Sequence, residues 1–183
     1  MTRTQMTGIG LAGALLVAAA ATQAQTRGGT PQPVADAVRA AWDGSKKNIR
    51  ESAEFMPEAK FTFKPVDTVR TFGQLIGHVA GANYVFCAAA KGEKSPQAEA
   101  AFESLATKAA LVKAWDESVA YCNGVFASLT DRSAAETIDM PFEQGKAARV
   151  SALIGNVGHL NEHYGNIVTY LRMNGIVPPS SRR

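Results

Sequence analysis

Clustered basic residues are missing from this sequence. Its 19 Lys and Arg are spread along the chain against 16 Asp and Glu, for a net charge of +3. Nucleic-acid recognition needs a basic face and is not expected. After the first two dozen residues, no apolar run approaches the ~20 residues that a membrane-spanning helix needs. There is no short-period repeat and no convincing sheet. Nor is a nucleophile set beside a base: Cys87 and Cys122 are each more than one helical turn in sequence from any histidine, so covalent catalysis is unsupported. What remains is an ordinary globular composition, with 46% hydrophobic and 19% charged residues over 183 positions. That suits one domain with a sizeable core.

The amino-terminal segment stands apart. Arg3 supplies a positive charge, residues 8–21 (GIGLAGALLVAAAA) are apolar, and Thr22-Gln23-Ala24 places small residues at −3 and −1 of a cleavage site. This is the anatomy of a secretory signal peptide over residues 1–24. An uncleaved anchor is the alternative, but the run is too short to span a bilayer. The mature chain is therefore expected in the periplasm or secreted, with no membrane association after cleavage. Export leaves two readings of the cysteines: a Cys87–Cys122 pair, which an oxidising compartment would preserve, or two buried thiols acting as small hydrophobes.

Residues 25–32 (QTRGGTPQ) read as a flexible linker. The chain beyond predicts four helices. The first opens at Pro33, a residue suited to a first helical turn, and carries Val34, Val38, Ala41, Trp42, Ser45 and Ile49 on one face. It ends before Met56-Pro57, and residues 60–65 (KFTFKP) form a connector. The second begins near Thr71, where Thr71-Phe72-Gly73-Gln74 has the form of a capping box. Leu75, Val79, Ala82, Phe86 and Ala89 follow as an amphipathic stripe up to Gly92. A connection over residues 93–107 contains a candidate short helix at 96–106. The third helix bears Leu111, Trp115, Val119, Cys122, Phe126 and Leu129, and residues 131–145 form an irregular connection. The fourth, over 146–173, turns Leu153, Val157, Leu160, Tyr164, Ile167 and Leu171 inward. Asn174-Gly175 and then Pro178-Pro179 stop it. The expected fold is all-α, a four-helix bundle over residues 33–177 with a tail at 178–183.

The three histidines carry the main functional signal. His159 and His163, four apart, project from one face of the fourth helix about 6 Å from each other. Both lie at the margin of its apolar stripe. His78 sits at the margin of the second helix's stripe, so a three-histidine site between helices can form, with positions open for water. Core histidines are the bland alternative. Asn83 and Asn156 are weaker candidates to bind substrate, Asn156 being equally able to bond a neighbouring backbone. Trp42, Trp115 and Tyr164 read as core. His159-Leu160-Asn161-Glu162-His163 also spells the inverted zinc-protease motif. That reading lacks a mixed fold and a downstream acidic ligand, and Glu162 lies about 100° around the helix from His163.

Residues 61–92 (FTFKPVDTVRTFGQLIGHVAGANYVFCAAAKG) and 158–178 (GHLNEHYGNIVTYLRMNGIVP) resemble the DinB/YfiT family. The likeness covers nearly all of the mature chain, with the four helices in the same order. It implies a metalloenzyme-like bundle whose ligands come one from the second helix and two, as H-x-x-x-H, from the fourth. These match His78, His159 and His163 without substitution, for a divalent ion such as zinc or nickel. The resemblance also implies an up-down-down-up order. The 93–107 connection exceeds the usual 2–8 residues between bundle helices and is long enough to cross the bundle. Parallel second and third helices would bring Cys87 and Cys122 level, and with export the resemblance thus implies a disulfide between them.

A metal-dependent enzyme acting on a small substrate is the leading functional expectation, either a hydrolase or a thiol transferase. Some relatives use a low-molecular-weight thiol, which suits an exported protein less well. Two readings compete: a non-catalytic metal-binding module, and a bundle serving protein association. A homodimer is compatible with each. Processing after Ala24 is directly measurable: mass spectrometry of the exported protein should find Gln25 at or near the amino terminus. A mature species retaining Arg3 would refute it.

Overall fold

The computed structural model describes residues 30–142 and 144–182, together with Met1. The expected leader beyond Met1, and linker residues 25–29, lie outside the described residues. The chain divides into two units, Met1–Pro31 and Gln32–Arg183, and the regular structure described belongs to the second. It comprises α1 (Pro33–Phe55), α2 (Phe72–Lys91), α3 (Lys108–Ser128), the one-turn α4 (Asp131–Ala134), β1 (Thr137–Asp139), β2 (Lys146–Ala148) and α5 (Arg149–Met173). Short 3₁₀ turns occur at Glu58–Lys60 and Pro179–Ser181. No helix among the described residues is long and apolar enough to cross a membrane.

Each helix end has a chemical reason. Pro33 occupies the first turn of α1, whose free N–H groups are met from far along the chain. The Asp131 carboxylate accepts from Ala35 N at 2.8 Å and from Val34 N at 3.3 Å. A negative charge at that end also suits the helix dipole. Thr71 and Gln74 close the capping box of α2, with Thr71 N donating to Gln74 Oε1 (2.8 Å) and Gln74 N to Thr71 Oγ1 (3.2 Å). Gly92, at φ 75°, ends that helix in the left-handed region. Thr107 caps α3, and Gly175, at φ 72°, follows α5.

The long helices pack on one another, α1 and α2 each against both α3 and α5. At the centre Trp42 stacks on Phe126 with ring centroids 4.6 Å apart, and its indole N–H donates to Asn123 Oδ1 at 2.9 Å. Trp115, Ile49, Leu153 and Leu160 are fully buried in the same core. Pairings reveal direction. Between α2 and α3, contact partners climb together: Gly73 with Leu111, Asn83 with Ser118, Cys87 with Cys122. Between α2 and α5 they run oppositely: His78 meets His159, and the Arg149 guanidinium donates to the Ala90 carbonyl. Cys87 and Cys122 form a disulfide, with Cα atoms 5.5 Å apart.

Three local departures from the sequence-based expectation have physical causes. Residues 131–145 are not wholly irregular: they hold α4 and β1, and β1 pairs antiparallel with β2, Ile138 opposite Ala147. Strands of three residues are too short to show an alternating pattern. Residues 96–106 form successive turns rather than a helix, with i→i+3 bonds such as Ala101 N to Ala98 O (3.1 Å) and Glu103 N to Ala100 O (3.2 Å). And α2 is buried well beyond a stripe, from Leu75 continuously through Asn83, because this same segment covers the face that α3 and α5 leave open. A fourth departure is confined to α1: Val34 and Ala41, expected on its inward face, are exposed.

The disulfide joins residues 35 apart. Loop-closure entropy for a span of that size predicts about 3–4 kcal/mol of stabilisation. Urea unfolding of the Cys87→Ser/Cys122→Ser variant should show a loss of that order. An unchanged midpoint would mean that the bridge constrains nothing the packing does not already hold.

Candidate metal centre

His78 projects from the middle of α2, and His159 and His163 from successive turns of α5. Because α2 and α5 run in opposite directions, the three rings meet at one level. His159 Nε2 lies 3.2 Å from His78 Nε2 and 3.1 Å from His163 Nε2. One ligand nitrogen from each ring lies within 4.8 Å of the other two, so the trio can hold a metal ion. Two nitrogens bound to one zinc at 2.0–2.1 Å with a tetrahedral angle would be about 3.3 Å apart. The observed separations are close to that.

The surroundings of His159 and His163 favour the neutral ring, as a ligand must be. Burial, followed by the neighbouring His163 and His78, lowers the His159 pKa from 6.5 to about 3. Burial and His78 likewise push His163 down. Glu103 fixes the remaining ring: its Oε1 lies 3.0 Å from His78 Nδ1. A proton on Nδ1, donated to that carboxylate, leaves the Nε2 lone pair facing the other two rings. Carboxylate support behind a ligating histidine is a regular feature of metal sites. The other Glu103 oxygen accepts from Arg70 Nε at 3.1 Å. The Nδ1 atoms of His159 and His163 are buried without a protein partner.

Beside the trio opens a cavity of about 750 Å³, lined among others by His163, Glu103, Arg70, Gln74, Asn166 and Tyr170. Such a volume suits a small molecule. Tyr170 OH donates to the Arg70 carbonyl at 2.7 Å and so anchors the arginine's backbone. On another side the Phe86 ring lies 5.8 Å from His159. Its approach depends on Gly155, where a Cβ would meet the ring edge at 3.1 Å.

The sequence-derived candidates are not all gathered here. His78, His159 and His163 come together. Asn83 and Asn156 are fully buried and line no part of the cavity. Asn83 Nδ2 donates to Ser118 Oγ at 3.0 Å, and Asn156 Nδ2 lies 3.7 Å and 3.9 Å from the two disulfide sulfurs. Glu162 is exposed, off the histidine face. Arg70, Glu99 and Glu103 escaped the sequence reading because they sit in connections, where no periodicity marks an inward side chain. The four-residue spacing of Glu99 and Glu103 was the one available hint.

Known structures share this architecture. A DinB-like protein from Bacillus cereus superposes with a TM-score of 0.66 at 13% identity, over 79% of this chain and 95% of that one. A DinB-like protein from Bacillus subtilis gives 0.61 at 16% identity, over 80% and 99%. A mycothiol-dependent maleylpyruvate isomerase gives 0.61 at 16% identity, but the match covers 73% of this chain and 60% of that enzyme. These likenesses establish the fold. None of the curated proteins matches. Residues 41–167, well over half of the sequence, match the DinB superfamily, and the chain belongs to that superfamily.

Proposed function

We propose that this protein binds one divalent metal ion, zinc, nickel or similar, through His78, His159 and His163. In this reading it is a metal-dependent enzyme for a small substrate. The observation that carries the proposal is the convergence of three Nε2 atoms from two helices, with one ring backed by Glu103. The long helices are read as an up-down-down-up bundle, exported through the leader at residues 1–24 to the periplasm or beyond. A bound ion would supply a Lewis acid at the edge of the cavity. The chain's own residues do the rest. Glu103 holds His78 in one tautomer, Phe86 shields the trio from water on one side, and Arg70 and Tyr170 give the cavity a polar wall. Hydrolysis and thiol transfer both fit such a site. The isomerase neighbour's dependence on mycothiol supports including thiols in any substrate panel.

Metal quantification tests the proposal directly. The parent chain should purify with about one equivalent of metal. His78→Ala, His159→Ala and His163→Ala should each lose it while keeping a helical circular-dichroism spectrum. A His78→Ala variant that binds as well as the parent would return His78 to the core. Ester, amide and thiol-conjugation assays on metal-loaded protein then separate an enzyme from a passive binder.

Acid should reveal the buried rings. His159 is held near 3 in the folded chain against about 6.5 when unfolded. Between those values the unfolded chain takes up a proton that the folded chain refuses. This contribution to stability is therefore present above pH 6.5 and lost as pH falls toward 3. Urea midpoints of metal-free protein should fall across that window. His159→Gln should flatten part of the fall, and equal slopes for the two chains would show that His159 is not buried in neutral form.

A further inference from the structure

The segment between α2 and α3 lies across the histidines, and its fit there is unusually close. Gly77 and Gly81 bracket His78 on α2. A Cβ at Gly77 would collide with the Phe102 carbonyl, and one at Gly81 with the Glu99 carbonyl. Two missing side chains, one residue before and three after His78 and so about one helical turn from each other, thus let the backbone of residues 98–103 rest directly on α2. The turns in this segment put Glu99 and Glu103 over the same site. Glu103 reaches the outer nitrogen of His78. Glu99 reaches the inner one: its Oε1 lies 3.7 Å from His78 Nε2 and 4.0 Å from His159 Nε2.

Those distances have a specific meaning. Ligand atoms each 2.0–2.2 Å from one ion are about 3.4 Å apart at a tetrahedral angle and at most about 4.4 Å apart on opposite sides of it. The Glu99 separations from His78 and His159 fall inside that limit. Glu99 is not itself a member of the close three-histidine cluster, so a rotation of its side chain would complete the set. The carboxylate is also without a cation of its own: among the described residues no Lys or Arg pairs with it, Arg70 being engaged by Glu103. Its side chain is 35% exposed and faces the imidazoles of His78 and His159. A carboxylate turned toward metal-binding imidazoles is stabilised by a positive ion held among them.

We propose that Glu99 is a fourth metal ligand, delivered by the crossover segment, which makes the site a three-histidine, one-carboxylate set. This rests on the three-histidine reading above. Gly77 and Gly81 are the positioning residues, since they set how closely the segment approaches α2. The full ligand set would then form only once the crossover has docked.

Cobalt(II) is the probe, because its visible absorption reports which atoms ligate it. Metal-free parent, Glu99→Ala and His159→Ala chains are titrated with cobalt(II) in competition with a chromophoric chelator. Melting curves confirm that each variant is folded. Glu99→Ala should bind at least about tenfold more weakly, the smallest loss that even outer-sphere partners cause, and its visible spectrum should change. Gly81→Ala, with Glu99 intact but the segment lifted, should weaken binding and alter the spectrum in the same direction. Parent-like affinity and spectrum in Glu99→Ala would overturn the assignment. Weaker binding with an unchanged spectrum would also overturn it, because the carboxylate would then act through charge alone. In both of those cases His159→Ala still loses the metal and the three-histidine reading survives. A parent chain that takes up no cobalt would overturn that reading itself, and this proposal with it.

Discussion

The register of α2 against α5 is the constraint on which the site depends. His78 must stand level with two residues one turn apart on α5, and a slip of one residue along α2 would turn its ring some 100° away. Several contacts hold that register at once. Phe86 packs into the gap left by Gly155, Arg149 at the start of α5 reaches the carbonyl of Ala90, and Tyr170 near its end reaches that of Arg70. The disulfide fixes α2 to α3 at the same time. None of these fastenings is made by the histidines themselves, so their geometry is imposed by the frame around them. Preorganisation of this kind is what a metal site needs if binding is not also to bear the cost of folding.

Much of this frame is legible in the sequence, for reasons that differ from element to element. The capping box at Thr71, the left-handed Gly92 and the Asn174-Gly175 stop are local signals, readable without knowing any distant contact. The stripe Val38, Trp42, Ser45, Ile49 works because α1 buries one face and leaves the other in water. The same reasoning understates α2. Its neighbours cover it on more than one side, and a helix enclosed in that way has no polar face to mark its orientation. The histidines were legible because a four-residue spacing fixes two of them relative to each other. The carboxylates around them were not. Glu99 and Glu103 take their place from turns whose course depends on two glycines some twenty residues earlier, a relation that no window of local sequence contains.

Asn83 and Asn156 show how two identical side chains can mislead. An asparagine on an inward helical face invites a role in binding, since burying an amide is costly unless it is used. Here the use is structural. Asn83 ties α2 to Ser118 on α3, and Asn156 places its amide N–H groups toward the disulfide sulfurs. Each still has a side-chain oxygen without a protein partner. The helix junction next to the three histidines is therefore polar as well as cross-linked, and the bridge sits among groups that an all-apolar core would not tolerate.

Function and folding draw on the same few positions of α2. The run Gly77-His78-Val79-Ala80-Gly81 contains one histidine of the trio, two glycines that admit the crossover, and two apolar residues packed in the core. Glycine weakens a helix interior by roughly 0.5–1 kcal/mol relative to alanine, so propensity alone would favour replacing both. The crossover reverses that balance, because either added methyl would meet backbone carbonyl atoms rather than a flexible side chain. The helix therefore gives up intrinsic stability at the two places where a neighbouring segment needs its surface. That segment in return brings Glu103 to the back of His78 and Glu99 to its front. A rigid frame of long helices carries the histidines, while a turn-built segment seated on bare backbone supplies the carboxylates around them.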